Sequence, residues 1–181
     1  TLAASTVMSG GMTTEIGQIE GGKFDERLEK SRARFLTLTA RSGLAPEAED
    51  RLVKKLGTTL VSLDELLIEE MKKYSTEQGA DWHKILEVDA AGPEGRYWKD
   101  ALLRVAAEAS LRVQDRLLAM EGTVLVSRAG LLARYGQLDM LNKLKRQIEK
   151  GNGDSKLEGI WLLLPTNSSG ALPKIDGNPF P

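Results

Sequence analysis

The sequence predicts a small doubly wound α/β fold: a mainly parallel sheet of about four strands with helices on both faces. Three observations lead there. The strand-like runs are short and apolar throughout, as in strands buried on both faces. Helical periods separate each run from the next. Several runs also end in Ser or Thr, residues suited to open a helix by accepting from its unpaired amides.

Taken in order, residues 1–23 are rich in Gly, Ser and Thr and read as a flexible linker. The α/β domain is expected over 24–165, opening with a charged helix across Phe24–Arg34 and a strand at Phe35–Thr39. Pro46 suits the first turn of the next helix, Leu52, Val53 and Leu56 supply its buried stripe, and Gly57 stops it. A strand at Thr58–Val61 runs into Ser62-Leu63-Asp64-Glu65, a capping box in which Ser62 and Glu65 satisfy each other's orphaned amides. The helix that follows ends near Gly79.

Asp81–Arg96 reads as irregular, and Tyr97–Met120 as one helix of about six turns. The third strand is Thr123–Val126, with Ser127 placed to cap the next helix; Leu131–Ile148 forms two helical pieces broken at Gly136. Ile160–Leu164 is the fourth strand, closed by Pro165. The segment 166–181 reads as loop or a truncated hairpin turning at Asp176-Gly177.

Composition narrows the function classes. The chain has 181 residues, and 25 Lys plus Arg against 26 Asp plus Glu leave a net charge of −1. There is no basic field, which argues against nucleic-acid binding by this segment and against an anionic membrane surface. With no cysteine, thiolate zinc sites, thiol nucleophiles and disulfides are excluded. No apolar run reaches the roughly 18 residues of a membrane span, so no membrane partner is expected. A cytoplasmic location agrees with this composition. The start at Thr1 and the end at Phe180-Pro181 read as those of a fragment of a longer polypeptide.

The motifs with chemical content are incomplete. Gly17-Gln18-Ile19-Glu20-Gly21-Gly22-Lys23 fits a phosphate-cradling loop, but Phe24 replaces the magnesium-binding hydroxyl and Glu20 would repel phosphate. Gly151-Asn152-Gly153 lacks the third glycine of a dinucleotide fingerprint and reads as a turn. His83 would serve as a general base only if Asp81 or Asp89 oriented it. Asp81, Glu87, Asp89, Glu94 and Asp100 match no calcium loop and read as a solvated face. Arg128, Arg134, Lys143, Lys145 and Arg146 bias the last helical region toward positive charge, and Trp82, Trp98 and Trp161 read as core anchors. No metal or cofactor is expected.

One constellation remains. Ligands of open parallel sheets sit outside the carboxyl ends of the strands, at helix amino termini. There the sequence places Thr39, Arg41, Ser62, Ser127, Arg128 and Thr166: four hydroxyls and two cations, adequate for an anion. The plainer reading is that the hydroxyls only cap helices.

A resemblance adds to this. The succession Phe35-Leu-Thr-Leu-Thr39, Val61–Ile68, Asp81-Trp82, Val88-Asp-Ala-Ala91, Trp98, Val124–Ser127, Gly130–Tyr135 and Gly159–Pro165 resembles the C-terminal region of large proteins of bacterial phage growth limitation (BREX-type) defence systems. It is most like their serine/threonine kinase component. Kinase chemistry needs a Gly-rich loop, a strand lysine, H-R-D and D-F-G, none of which occurs here, so no catalytic residue carries over. The resemblance implies a non-catalytic accessory module of a parent kinase, contacting other subunits or domains of the same defence system. The alternatives are a nucleotide- or phosphate-binding domain using the strand-end edge, and an ATPase fragment lacking its P-loop.

Overall fold

A computed structural model describes residues 6–8, 12–14, 21–151, 156–166, 174–175 and 178–179. Two short strands, β1 (Thr6–Met8) and β2 (Met12–Thr14), precede α1 (Gly21–Glu29). The central succession is β3 (Phe35–Arg41), α2 (Ala45–Leu56), β4 (Thr59–Ser62), α3 (Leu63–Glu77), α4 (Trp82–Ala91) and α5 (Leu103–Leu118). It continues through β5 (Gly122–Ser127), α6 (Gly130–Arg134), α7 (Asp139–Lys150) and β6 (Leu157–Thr166). The strands β7 (Lys174–Ile175) and β8 (Asn178–Pro179) pair antiparallel with Ile175 opposite Asn178; the turn expected at Asp176-Gly177 lies outside the described residues.

The main sheet has the order β2-β1-β3-β6-β5-β4. Its last four strands are parallel, as expected. The connection from β3 to β4 crosses the whole parallel set, and the next two connections step back one strand at a time. Because such crossovers share one hand, the reversal puts α2 on one face and the later helices on the other.

Two cores result. α3 to α7 close the larger one over Val124, Val126, Ile160, Leu162 and Leu164, with Trp98 and Tyr135 in its wall. α1 and α2 close the smaller one over Leu36, Leu38, Leu125, Trp161 and Leu163. From Ile160 to Leu164, neighbours on β6 thus alternate between cores, so every position there must be apolar; this is why that stretch shows no polar alternation. Arg51 of α2 donates to both Asp25 carboxylate oxygens of α1 at 2.9 Å, tying the smaller layer together. In the larger layer Glu70, buried on α3, accepts from Arg116 of α5 at 2.7 Å.

Local signals behave as their chemistry requires. Gly57 takes a left-handed φ of 62° and its N–H bonds to Val53 O, ending α2. Gly136, at φ 67°, separates α6 from α7.

Four expectations change. The first concerns residues 1–23, read as linker: β1 and β2 lie within them, and β1 pairs antiparallel with β3 through Thr6↔Leu38 and Val7↔Thr37. The second is the irregular reading of Asp81–Arg96. Asp81 caps α4 there, accepting from His83 N at 2.9 Å, a signal diluted in the sequence by the thin apolar stripe on a helix with only Ile85 buried.

The third is the long helix from Tyr97, which begins as a π-helical turn over Trp98–Leu102 before α5. The fourth is the strand closed by Pro165, since β6 continues to Thr166 with Pro165 opposite Ala40 of β3. Pro165 is tolerated because β5 has already ended: its register with β6 reaches only Val126↔Leu162. The missing N–H therefore faces no partner strand.

At the amino-terminal edge the turn before β3 presses on β6. A Cβ at Gly159 would sit 2.6 Å from Arg34 O, 2.8 Å from Arg34 N and closer still to the Arg32 carbonyl. Ile160 N donates to Arg34 O at 3.1 Å in the same contact.

Candidate functional site

Parallel pairing carries the ends of β3, β4, β5 and β6 to one edge of the sheet. It joins the nominated residues in two pairs: Ser62 stands opposite Ser127 on β4 and β5, and Arg41 opposite Thr166 on β3 and β6. The edge is stepped. Val126 is level with Leu162, so Thr166 rises about three residues, roughly 10 Å, beyond the end of β5.

The two pairs also favour opposite faces. Thr39 and Arg41 alternate with Phe35 on the side of the larger core, and Thr166 with Leu164. Ser62 and Ser127 fall on the side of Leu125 and the smaller core. Thr39 is buried within β3, whereas Arg41 is exposed at its tip.

The caps divide unevenly among these residues. Ser62 accepts from Glu65 N at 3.3 Å and caps α3 as expected. Glu65 turns its carboxylate to Arg128, whose Nη1 lies 3.3 Å away, so the Glu65 half of the predicted box serves another partner. Ser127 does not cap α6, which starts from Ala129 without a side-chain cap of its own. Asp64, from the first turn of α3, supplies it instead: its Oδ1 accepts from Leu131 N at 2.8 Å. Asp64 N in turn donates to Arg128 O at 2.8 Å. Arg128 bridges these two bonds with a left-handed φ of 53°, rare for a residue with a side chain. A capping residue 67 positions away leaves no local signature, which is why Asp64 was read only as a filler of the capping box.

A second constellation joins α4, the π-helical turn and α6. Asp89 Oδ1 accepts from the Tyr135 hydroxyl at 3.1 Å and from Arg134 Nε at 3.0 Å, while Arg134 Nη2 donates to Asp89 O at 3.1 Å. The Arg134 guanidinium lies 5.3 Å from the centre of the Trp98 ring, and the Trp98 and Tyr135 rings are 6.1 Å apart. Burial first, and then the Asp89 charge, push the Tyr135 hydroxyl up to about 12; the hydrogen bond to Asp89 raises the Arg134 guanidinium above its ordinary value. Such a tyrosine stays protonated at neutral pH and works as a donor, not a base.

This brace engages Asp89, and Asp81 is engaged as a cap, so neither is held in reserve to orient His83, which is exposed on α4. Among the described residues no group of three His, Asp or Glu side chains is gathered as a metal would require. No helix of the described residues is long and apolar enough to cross a membrane. Trp161 and Trp98 are buried and Trp82 is half-buried, in keeping with core anchors. Most of the Gly17–Lys23 motif lies outside the described residues; Gly21, Gly22 and Lys23 begin α1.

No family model matches the chain, and no solved structure matches it. Among curated proteins it is similar to the "Probable kinase PglW" of Streptomyces coelicolor, 29% identical over 162 residues. The similarity takes in 83% of this chain but 10% of that protein. The chain thus spans about a tenth of its relative's length.

Proposed function

We propose that this chain is a non-catalytic accessory α/β module of a bacterial antiphage defence protein of the serine/threonine-kinase kind, acting through contacts with other domains or subunits of the same system. The observation that carries the reading is the similarity to a probable kinase along 83% of this chain and only 10% of that protein. A segment without H-R-D or D-F-G leaves phosphoryl transfer to the rest of such a protein. The engagement of Ser62, Asp64, Glu65 and Asp89 inside the fold supports the same reading, since groups committed to caps and braces are poorly placed to turn over a substrate.

The test uses a full-length protein containing this chain, intact and with residues 24–165 removed. Autophosphorylation is expected to persist in the shortened protein while phage resistance is lost. Phosphate transfer from ATP by the 181-residue chain alone would overturn the non-catalytic assignment.

A second reading draws on the Arg41–Thr166 pair, which sets a cation and a hydroxyl opposite each other at the end of β3 and β6. Beside it, α2 starts without a side-chain cap. An anion such as a nucleotide phosphate would suit that arrangement. If this reading holds, ATP or inorganic phosphate raises the melting temperature, with about 2.7 kcal/mol of stabilisation at one hundred times Kd, and Arg41→Ala abolishes the effect. Absence of any shift removes the reading.

A further inference from the structure

Helix α4 is held more lightly than its neighbours. Along its 10 residues it buries one side chain, Ile85, with Trp82 and Val88 half-buried beside it. The helices before and after it in the chain, α3 and α5, bury six side chains each. The apolar surface a segment buries largely sets the free energy at which it opens by itself, so α4 leaves the larger layer more readily than α3 or α5.

Both of its ends are built to turn. Gly79, before it, has a φ of 68°. Gly92, after it, has a φ of 77° with a ψ of −176°, a combination essentially closed to residues with a side chain. A Cβ at Gly92 would meet nothing within 4 Å, so the backbone angles and not crowding call for glycine there. Positions at the ends of a packed element absorb the dihedral changes of a hinge.

One residue fastens the helix. Among the described residues, the hydrogen bonds from α4 to other elements run through Asp89: its Oδ1 accepts from the Tyr135 hydroxyl and Arg134 Nε, and its carbonyl accepts from Arg134 Nη2. The Arg134 and Asp89 side chains are 41% and 30% exposed, so water competes for the pair.

We propose that α4 is a latched strap. When the Asp89 brace parts, the helix swings off the larger layer as one unit on Gly79 and Gly92. Opening uncovers the wall that Ile85 closes and frees the Arg134 guanidinium and the Tyr135 hydroxyl. This does not depend on the defence assignment above.

Native-state hydrogen exchange of the chain, read amide by amide by NMR, tests it. The amides from Ile85 to Ala91 are expected to share one protection factor, about a hundredfold or more below the best protected amides of α3 and α5. Asp89→Ala should lower that shared value about tenfold, from Ile85 through to Ala91. Gly92→Ala should act alike, because the open strap relieves the strained backbone. Fraying of the helix end would instead give protection that falls gradually toward Ala91, with Asp89→Ala felt in the last turn alone; that pattern overturns the proposal. So does protection in α4 equal to that in α3 and α5, or exchange in Gly92→Ala at the unaltered rate. Should a variant fail to fold, the uniformity and depth of protection in the unaltered chain still decide between strap and fraying.

Discussion

The two ends of the parallel sheet are secured in different ways. At the amino-terminal end the turn over Arg32–Arg34 lies backbone to backbone on β6, and Gly159 is what lets it approach. At the carboxyl-terminal end one backbone bond, from Asp64 N to Arg128 O, is joined by contacts that run through side chains: Asp64 Oδ1 reaches Leu131 N, and Glu65 reaches Arg128. A backbone contact admits no added atom, whereas a side-chain contact can be trimmed for about the worth of its hydrogen bond. The amino-terminal end should thus be the brittle one. The carboxyl-terminal end should be graded residue by residue.

The sharpest way to break that contrast is Gly159→Ala. The new Cβ must displace Arg34 or Arg32 backbone, so we expect about 3 kcal/mol or more of destabilisation in urea unfolding. A loss below about 1 kcal/mol would show that the turn yields and that the two ends do not differ in kind. Next comes Asp64→Ala, which deprives α6 of its distant cap and should cost about 1–2 kcal/mol. Ser62→Ala should follow at about 1 kcal/mol as the loss of a local cap. Ser127→Ala, at the register partner of Ser62, should stay within about 0.5 kcal/mol, because Ser127 caps no helix and the smaller alanine fits its buried place. Equal effects for the two serines would refute the assignment of the α6 cap to Asp64.

A further effect concerns pH. Tyr135 has its folded value raised from 10.0 to about 12, so folding favours the protonated hydroxyl. Its contribution is complete below about pH 10 and is lost as pH rises toward 12. Tyr135→Phe lacks that ionisation. Its stability deficit relative to the unaltered chain should therefore shrink between pH 10 and 12, as read from thermal melts of both proteins. A deficit unchanged across that interval would mean that the hydroxyl is not buried beside Asp89 as described.

Much of the fold was legible because its signals are local. Leu52 and Leu56 repeat at helical spacing, Gly57 can take the left-handed turn that ends α2, and Ser62 lies three residues before the amide it caps. Those relations lie within one turn of chain. The thin helix α4 was missed because one buried residue, Ile85, gives no period to detect. The candidate edge was legible as a set of strand ends, but not the division of that set: Ser62 with Ser127 and Arg41 with Thr166 were a single cluster until the register separated them by about 10 Å.

By itself, then, the sequence determined most of the segments that become helices or buried strands, though not α4, β1 or β2, because hydrophobic period, helix caps and glycine stops act over a few residues. It also determined that neither H-R-D nor D-F-G occurs within these 181 residues. Only the tertiary structure decided the strand order, the uneven covering of the two faces, and which side chain each polar group serves. Those outcomes depend on residues far apart in the chain. The bond from Asp64 to Leu131 exists only because β4 and β5 pair in parallel with Ser62 level with Ser127, which brings the starts of α3 and α6 together.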